Sequence, residues 1–200
     1  SFGLKSFGIP FIGLYGACST MALSTALAAL FVDSGAAERT IAVTSSHFCS
    51  AERQYRFPLN YGSQRTPTAQ WTVTGSGALV IGQKKNAPFI NSVTFGEITD
   101  YDIKDANNMG CAMAPAALDT ITTHLNDFNI EPDYYDLILT GDLGRVGKEA
   151  LQALAIREGI SISGRLIDCG TVIYDLQKQD VHAGGSGCGC SASVLCSYIM

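Results

Sequence analysis

Pro10-Phe-Ile-Gly-Leu-Tyr-Gly16-Ala-Cys18-Ser-Thr-Met-Ala-Leu-Ser-Thr-Ala-Leu-Ala-Ala-Leu30 is the stretch on which the fold turns. Ile9 to Tyr15 is an apolar run after which Gly16 and Ala17 allow a tight turn, so it predicts a buried strand. From Cys18 onward alanine, leucine and methionine dominate, with no glycine or proline until Gly35, which predicts a helix. Cys18 then stands at the mouth of that helix. Unpaired N–H groups and the positive end of the helix dipole favour a thiolate there. A free cysteine is equally a small apolar side chain that fills space. Both readings of Cys18 stand at this level.

Outward from this stretch, Thr40-Ile-Ala-Val-Thr-Ser-Ser46 is short and β-branched, a second predicted strand. His47 follows directly, and side chains just past strand ends line ligand crevices in parallel sheets. It is a pocket candidate, or a histidine bonded to nearby backbone. Residues 52–70 form a long loop holding Arg53, Arg56 and Arg65 among Tyr55, Phe57 and Tyr61. Arginine with aromatics suits carboxylate recognition through paired hydrogen bonds and stacking. A solvated or subunit-facing loop is the plainer alternative. Trp71 to Gly82 follows, with Ala78 to Ile81 read as a buried strand.

A polar interruption at 86–108 divides the chain into an N-terminal half, 1–85, and a C-terminal half, 109–200. Met113, Ala117, Ile121 and Leu125 fall on one helical face, with His124 a solvated residue near the helix end. Asp133 to Thr140 predicts a strand, Gly141-Asp142-Leu-Gly-Arg-Val-Gly147 a glycine turn, and Lys148 to Glu158 a helix. The glycines do not follow the G-x-G-x-x-G order, so a dinucleotide site is not supported. Thr171 to Asp175 is a candidate short strand. The chain closes with His182-Ala-Gly-Gly-Ser-Gly-Cys188-Gly-Cys190-Ser, a second small-residue turn opening a helix. C-x-C without a second ligand pair argues against structural zinc, and no cofactor is expected. The two turns rhyme; if the halves pack as mirror-like layers, both turns meet at one central pocket with Cys18, His182 and Cys188 facing each other.

The 200 residues are 46% hydrophobic and 16% charged, enough to bury a core. A net charge of −5 argues against a nucleic-acid partner. Seven cysteines, an odd number in small-residue contexts, fit a reducing compartment better than a disulfide framework. No signal peptide or long apolar span is evident, and the chain reads as a piece of a longer protein.

Gly16-Ala-Cys18-Ser-Thr-Met-Ala resembles the nucleophile turn of the thiolase and ketoacyl synthase superfamily. Thr74-Gly-Ser-Gly-Ala-Leu-Val-Ile81, Asp136-Leu-Ile-Leu-Thr140 and Cys190-Ser-Ala-Ser-Val194 resemble its other landmarks. Pro10 to Thr20, Arg53 to Ala78 and His182 to Cys190 are closer still to the stage V sporulation protein AD family of endospore-forming bacteria. The resemblance implies an α/β, thiolase-like layered αβαβα fold with duplicated halves, here truncated, and a homodimer paired through the strand near Ile41 to Thr44. It implies binding of dipicolinic acid for uptake into the developing spore. It also implies a soluble protein held peripherally at the spore inner membrane by other stage V sporulation proteins.

The family departures bear on chemistry. Gly141 stands where ketoacyl synthases place a histidine, and Cys188 where they place an asparagine. Acyl transfer needs a base beside the thiol and donors for the oxyanion. The expected role is therefore non-catalytic binding, with Cys18, His47, Arg53, Arg56, Arg65, Asp142, His182 and Cys188 as candidate ligand contacts. A Cys-dependent acyltransferase using Cys18 as nucleophile is the alternative, and a scaffold with a vestigial pocket a third.

Overall fold

The computed structural model describes residues 2–51, 65–84 and 88–200. Their mixed α/β architecture comprises three two-stranded sheets and five α-helices among the described residues. Arg53 and Arg56 lie outside the described residues.

Helix α1 (Thr20–Asp33) forms where the alanine and leucine run predicts it. Met21, Ser24, Ala28 and Val32 bury one face. That face meets strand β1 (Arg39–Ser46). Two polar bonds fix the contact: Ser24 Oγ lies 3.1 Å from Thr44 Oγ1, and Thr40 Oγ1 donates to the Ala28 carbonyl at 2.9 Å. Strand β2 (Trp71–Thr72) and strand β3 (Gly75–Gly82) follow. β3 runs antiparallel to β1, with Ile41 opposite Val80 and Val43 opposite Ala78.

The second half begins with helix α2 (Met109–Phe128). It is capped by Asn108, whose side chain accepts from Cys111 N, and closed by Asn129 in the left-handed region at φ +50°. Strand β4 (Ile138–Thr140), helix α3 (Gly144–Arg157) and strand β5 (Leu166–Asp168) form a unit in which β4 and β5 pair in parallel. Parallel pairing requires a crossover, which α3 supplies. Helix α4 (Cys169–Val172), strand β6 (Gly185–Ser186) and helix α5 (Cys188–Val194) complete the order. β6 pairs with β2, so the end of the chain is stitched to its first half.

The packing runs sheet, helices, sheet, helices. β1 and β3 lie on α1 and α5. Across α5, Cys190 and Val194 join Val73 and Cys169 in one apolar cluster against which Leu139 of β4 packs. Beyond β4 and β5, Ala114, Leu143, Leu151, Ala155, Ile162 and Leu166 form a second core between α2 and α3. The close approach of α5 to the first sheet depends on glycine: a Cβ on Gly77 would sit 2.6 Å from the Ala192 carbonyl oxygen.

Several expectations need correcting. Ile9 to Tyr15 is not a strand; it is irregular, and Ile9, Phe11, Ile12 and Tyr15 are exposed. An apolar run becomes a strand only when a neighbouring strand takes its backbone groups, and none does so among the described residues. Thr171 to Asp175 is the end of α4 and the bend after it, not a strand. Val93 to Phe95, whose β-branched and aromatic residues suggest one more strand within the polar interruption, lies in a coil. His124 is not a solvated helix residue. Its ring nitrogens lie 2.7 Å from Thr94 Oγ1 and 2.6 Å from Tyr135 Oη, so it fastens the 88–108 segment to α2. Ala78 and Val80 face outward with Ile41 and Val43, and Ile41, Val43 and Val80 are each more than half exposed.

Candidate functional site

The turn around Cys18 is a single 3-10 turn, Ala17–Ser19, leading into α1. Ala17 takes φ +46°, an uncommon conformation for a residue with a Cβ. The turn is tied within itself: Gly16 N donates to Thr20 Oγ1 at 3.1 Å, and Ser19 Oγ donates to the Gly16 carbonyl at 2.7 Å. It packs against α5, so the structure brings the neighbourhoods of Cys18 and Cys188 together. Both cysteines are half-buried. Cys188 Sγ donates to the Ser45 carbonyl at 3.3 Å, at the end of β1.

The mouth of α5 is already occupied by protein groups. Asp142, almost fully buried, accepts from Gly187 N at 2.8 Å. Gly189 N donates to Ser46 Oγ at 2.9 Å, while Ser46 Oγ donates to the Val73 carbonyl at 2.7 Å. The structure therefore places Asp142 as the cap of this turn. Beside it, Asp168 is wholly buried and accepts from Thr140 Oγ1 at 2.7 Å, Leu143 N at 2.8 Å and Gly144 N at 2.9 Å. Burial pushes its carboxyl above the ordinary aspartate value of 3.8, with those bonds opposing the shift. Burial, reinforced by the charges of Asp168 and Asp142, pushes the Cys169 thiol up to about 12. Cys169 is thus a packing residue with no thiolate at neutral pH.

His47 sits where β1 ends and lines an open cleft of about 420 Å³ with Ser45, Ser46, Ser50, Ala51, Thr74 and Ser76. Its Nδ1 accepts from Cys49 N at 3.1 Å, which leaves the Nε2 end for the proton of the neutral ring. The next residue, Phe48, stacks on Trp71 with ring centroids 4.3 Å apart and planes 12° from parallel. On Trp71 also lies the Arg65 guanidinium, 4.4 Å from the ring centroid. Arg65 Nη2 donates to Asp180 Oδ2 at 2.9 Å and to the Asp180 carbonyl at 2.8 Å. His182, at φ +49°, brings Nε2 to 3.1 Å from Asp180 Oδ1.

Two groups of predicted residues emerge. Cys18 and Cys188 belong to the α5 side, with His47 at the adjoining end of β1. Arg65 and His182 meet on Asp180, so the His182 imidazole is directed there. Phe48 and Trp71 connect the groups. The sequence reading missed Phe48, Trp71 and Asp180 as site residues. The available signal was the only tryptophan of the chain, placed six residues after an arginine.

A family model for stage V sporulation protein AD matches residues 1–200. The chain belongs to the stage V sporulation protein AD family. Stage V sporulation protein AD of Bacillus subtilis (strain 168) is 49% identical over 191 residues, covering 96% of this chain and 56% of that relative. The chain thus spans a little over half the length of this family member. It is a sporulation protein by family. No described helix is long and apolar enough to cross a membrane.

Proposed function

We propose that the chain builds a non-catalytic receptor site for dipicolinic acid, pyridine-2,6-dicarboxylic acid, and that it serves sporulation by helping to move this acid into the developing spore. One observation carries the reading: Arg65 and His182 grip a single carboxylate beside the flat Phe48–Trp71 stack. A planar aromatic dianion needs guanidinium and imidazole donors for its carboxylates and an aromatic surface for its ring. The hydroxyl-lined cleft at His47, the residue before Phe48, adds further donors. A thiolase-like layering is the frame in which these elements meet. Non-catalytic binding is favoured over acyl transfer by Cys18 because Gly141 stands where ketoacyl synthases place a histidine and Cys188 where they place an asparagine, while His124 is engaged by Thr94 and Tyr135 and His182 by Asp180.

Calorimetric titration with dipicolinate tests this reading. Arg65→Ala removes a charge-assisted pair worth about 1.5–3 kcal/mol, so the affinity should fall about 10- to 100-fold. Equal affinity of variant and wild type removes Arg65 from the site.

Homodimerisation through β1 is part of the same proposal, supported by the outward, exposed Ile41 and Val43. Sedimentation should find a dimer for the wild type and a monomer for Val43→Asp. A wild-type monomer at high concentration would remove the pairing. Peripheral attachment to the spore inner membrane through other stage V sporulation proteins completes the proposed setting.

A further inference from the structure

Asp180 joins two of the candidate ligand contacts, Arg65 and His182. Its two carboxylate oxygens are held separately, Oδ2 by Arg65 Nη2 at 2.9 Å and Oδ1 by His182 Nε2 at 3.1 Å. A guanidinium presents a planar fork of N–H donors that a carboxylate can engage through both oxygens. Here the fork is half used: Nη2 makes both bonds to Asp180, while Nη1 is buried without a hydrogen-bond partner among the described residues. The donors and the acceptor also differ in how firmly they are held. Arg65 is backed by Trp71 and its side chain is 30% exposed, whereas the Asp180 side chain is 83% exposed. An exposed ion pair of this kind is weak and readily exchanged.

We propose that Asp180 is a built-in competitor, an internal carboxylate that holds Arg65 and His182 until the carboxylate of a small organic acid displaces it. This rests on the reading above that Arg65 and His182 receive a ligand carboxylate. The incoming carboxylate takes the Arg65 Nη2 bond that Oδ2 gives up and the His182 Nε2 bond that Oδ1 gives up, and the Asp180 side chain turns into solvent. Asp180 thereby sets the affinity of the site and its response to salt. It also disfavours monodentate anions, which gain no second bond to offset the one they break.

Asp180→Asn keeps the shape of the side chain and removes its charge, and Asp180→Ala removes the group. Neither disturbs a buried contact, because the side chain is largely in water. The probe is dipicolinate, followed by calorimetry and by emission of Trp71, the only tryptophan. Both variants should bind about three- to fivefold tighter than wild type at low salt. The gap should shrink at high salt, where exposed charges are screened. Tighter binding by both variants, or binding by the variants alone, supports the competitor. Equal or weaker binding by the variants beside a wild type that binds overturns it and leaves the receptor reading in place. Absence of binding by all three proteins overturns both.

Discussion

Asp168→Asn lowers the stability of the folded chain by about 3–5 kcal/mol, measured by urea denaturation. The carboxylate takes hydrogen bonds from Thr140 Oγ1, Leu143 N and Gly144 N, none longer than 2.9 Å, in a position with no exposed surface. These bonds join the end of β4 to the start of α3 and both to the end of β5. Asparagine offers one acceptor oxygen and turns an NH₂ toward a neighbouring N–H. Donor then faces donor, and each buried donor left unsatisfied costs about 1–3 kcal/mol. The loss is a large fraction of the roughly 5–15 kcal/mol that holds an ordinary domain together.

The same carboxylate gives the stability a pH slope. Its native pKa is raised by burial above the ordinary 3.8, so the folded state holds the proton more tightly than the unfolded chain. The stability it contributes is full below the ordinary value and is lost as the pH rises through the raised native value. Wild-type urea midpoints should carry this slope in the acid range, and the asparagine variant should lack it. The difference between the two proteins therefore narrows as pH rises. A difference below 1 kcal/mol at every pH would mean that Asp168 does not hold the β4–α3 turn as described.

Gly147→Ala should destabilise by about 2–3 kcal/mol, although alanine is the better helix former by about 1 kcal/mol. Helices α2 and α3 cross with their backbones in contact. A Cβ on Gly147 would lie 2.7 Å from Gly110 Cα and 2.8 Å from the Gly110 carbonyl oxygen. Gly110 is equally confined, since its own Cβ would lie 2.5 Å from the Leu143 carbonyl oxygen. The obstacle is backbone on both sides, so no rotamer change relieves it and the helices must move apart. That separation loosens the core formed by Ala114, Leu151 and Ala155. Thermal or urea unfolding reads the sign directly. A stabilised variant would show that helix propensity outweighs the contact and that the crossing is looser than drawn.

Local signals were legible where a segment carries its own reasons. The alanine and leucine run after Cys18 forms α1, and the β-branched run at Thr40 forms β1. A glycine turn does join a strand to a helix, but it is shorter than the 141–147 expected, because α3 starts at Gly144 and not at Lys148. Ile9 to Tyr15 had the same apolar content but no partner strand among the described residues, and hydrophobicity alone could not make it one. His124 looked solvated because Thr94 and Tyr135, which enclose it, are distant in sequence. The candidate site shows both cases. His47 lines a cleft at the end of β1, the position its place after a strand predicts, whereas the meeting of Arg65 with His182 joins residues 117 positions apart through an aspartate that the motif reading passed over.

By itself the sequence determined the α/β class, the order of most elements and the family, because these follow from short-range pattern and residue identity. Only the tertiary structure decided that the donors at the α5 mouth are taken by Asp142 and Ser46, and that Arg65 and His182 close on Asp180. Hydrogen-bond donors are satisfied by whatever acceptor the fold brings within 3 Å, and no spacing along the chain states which acceptor that will be.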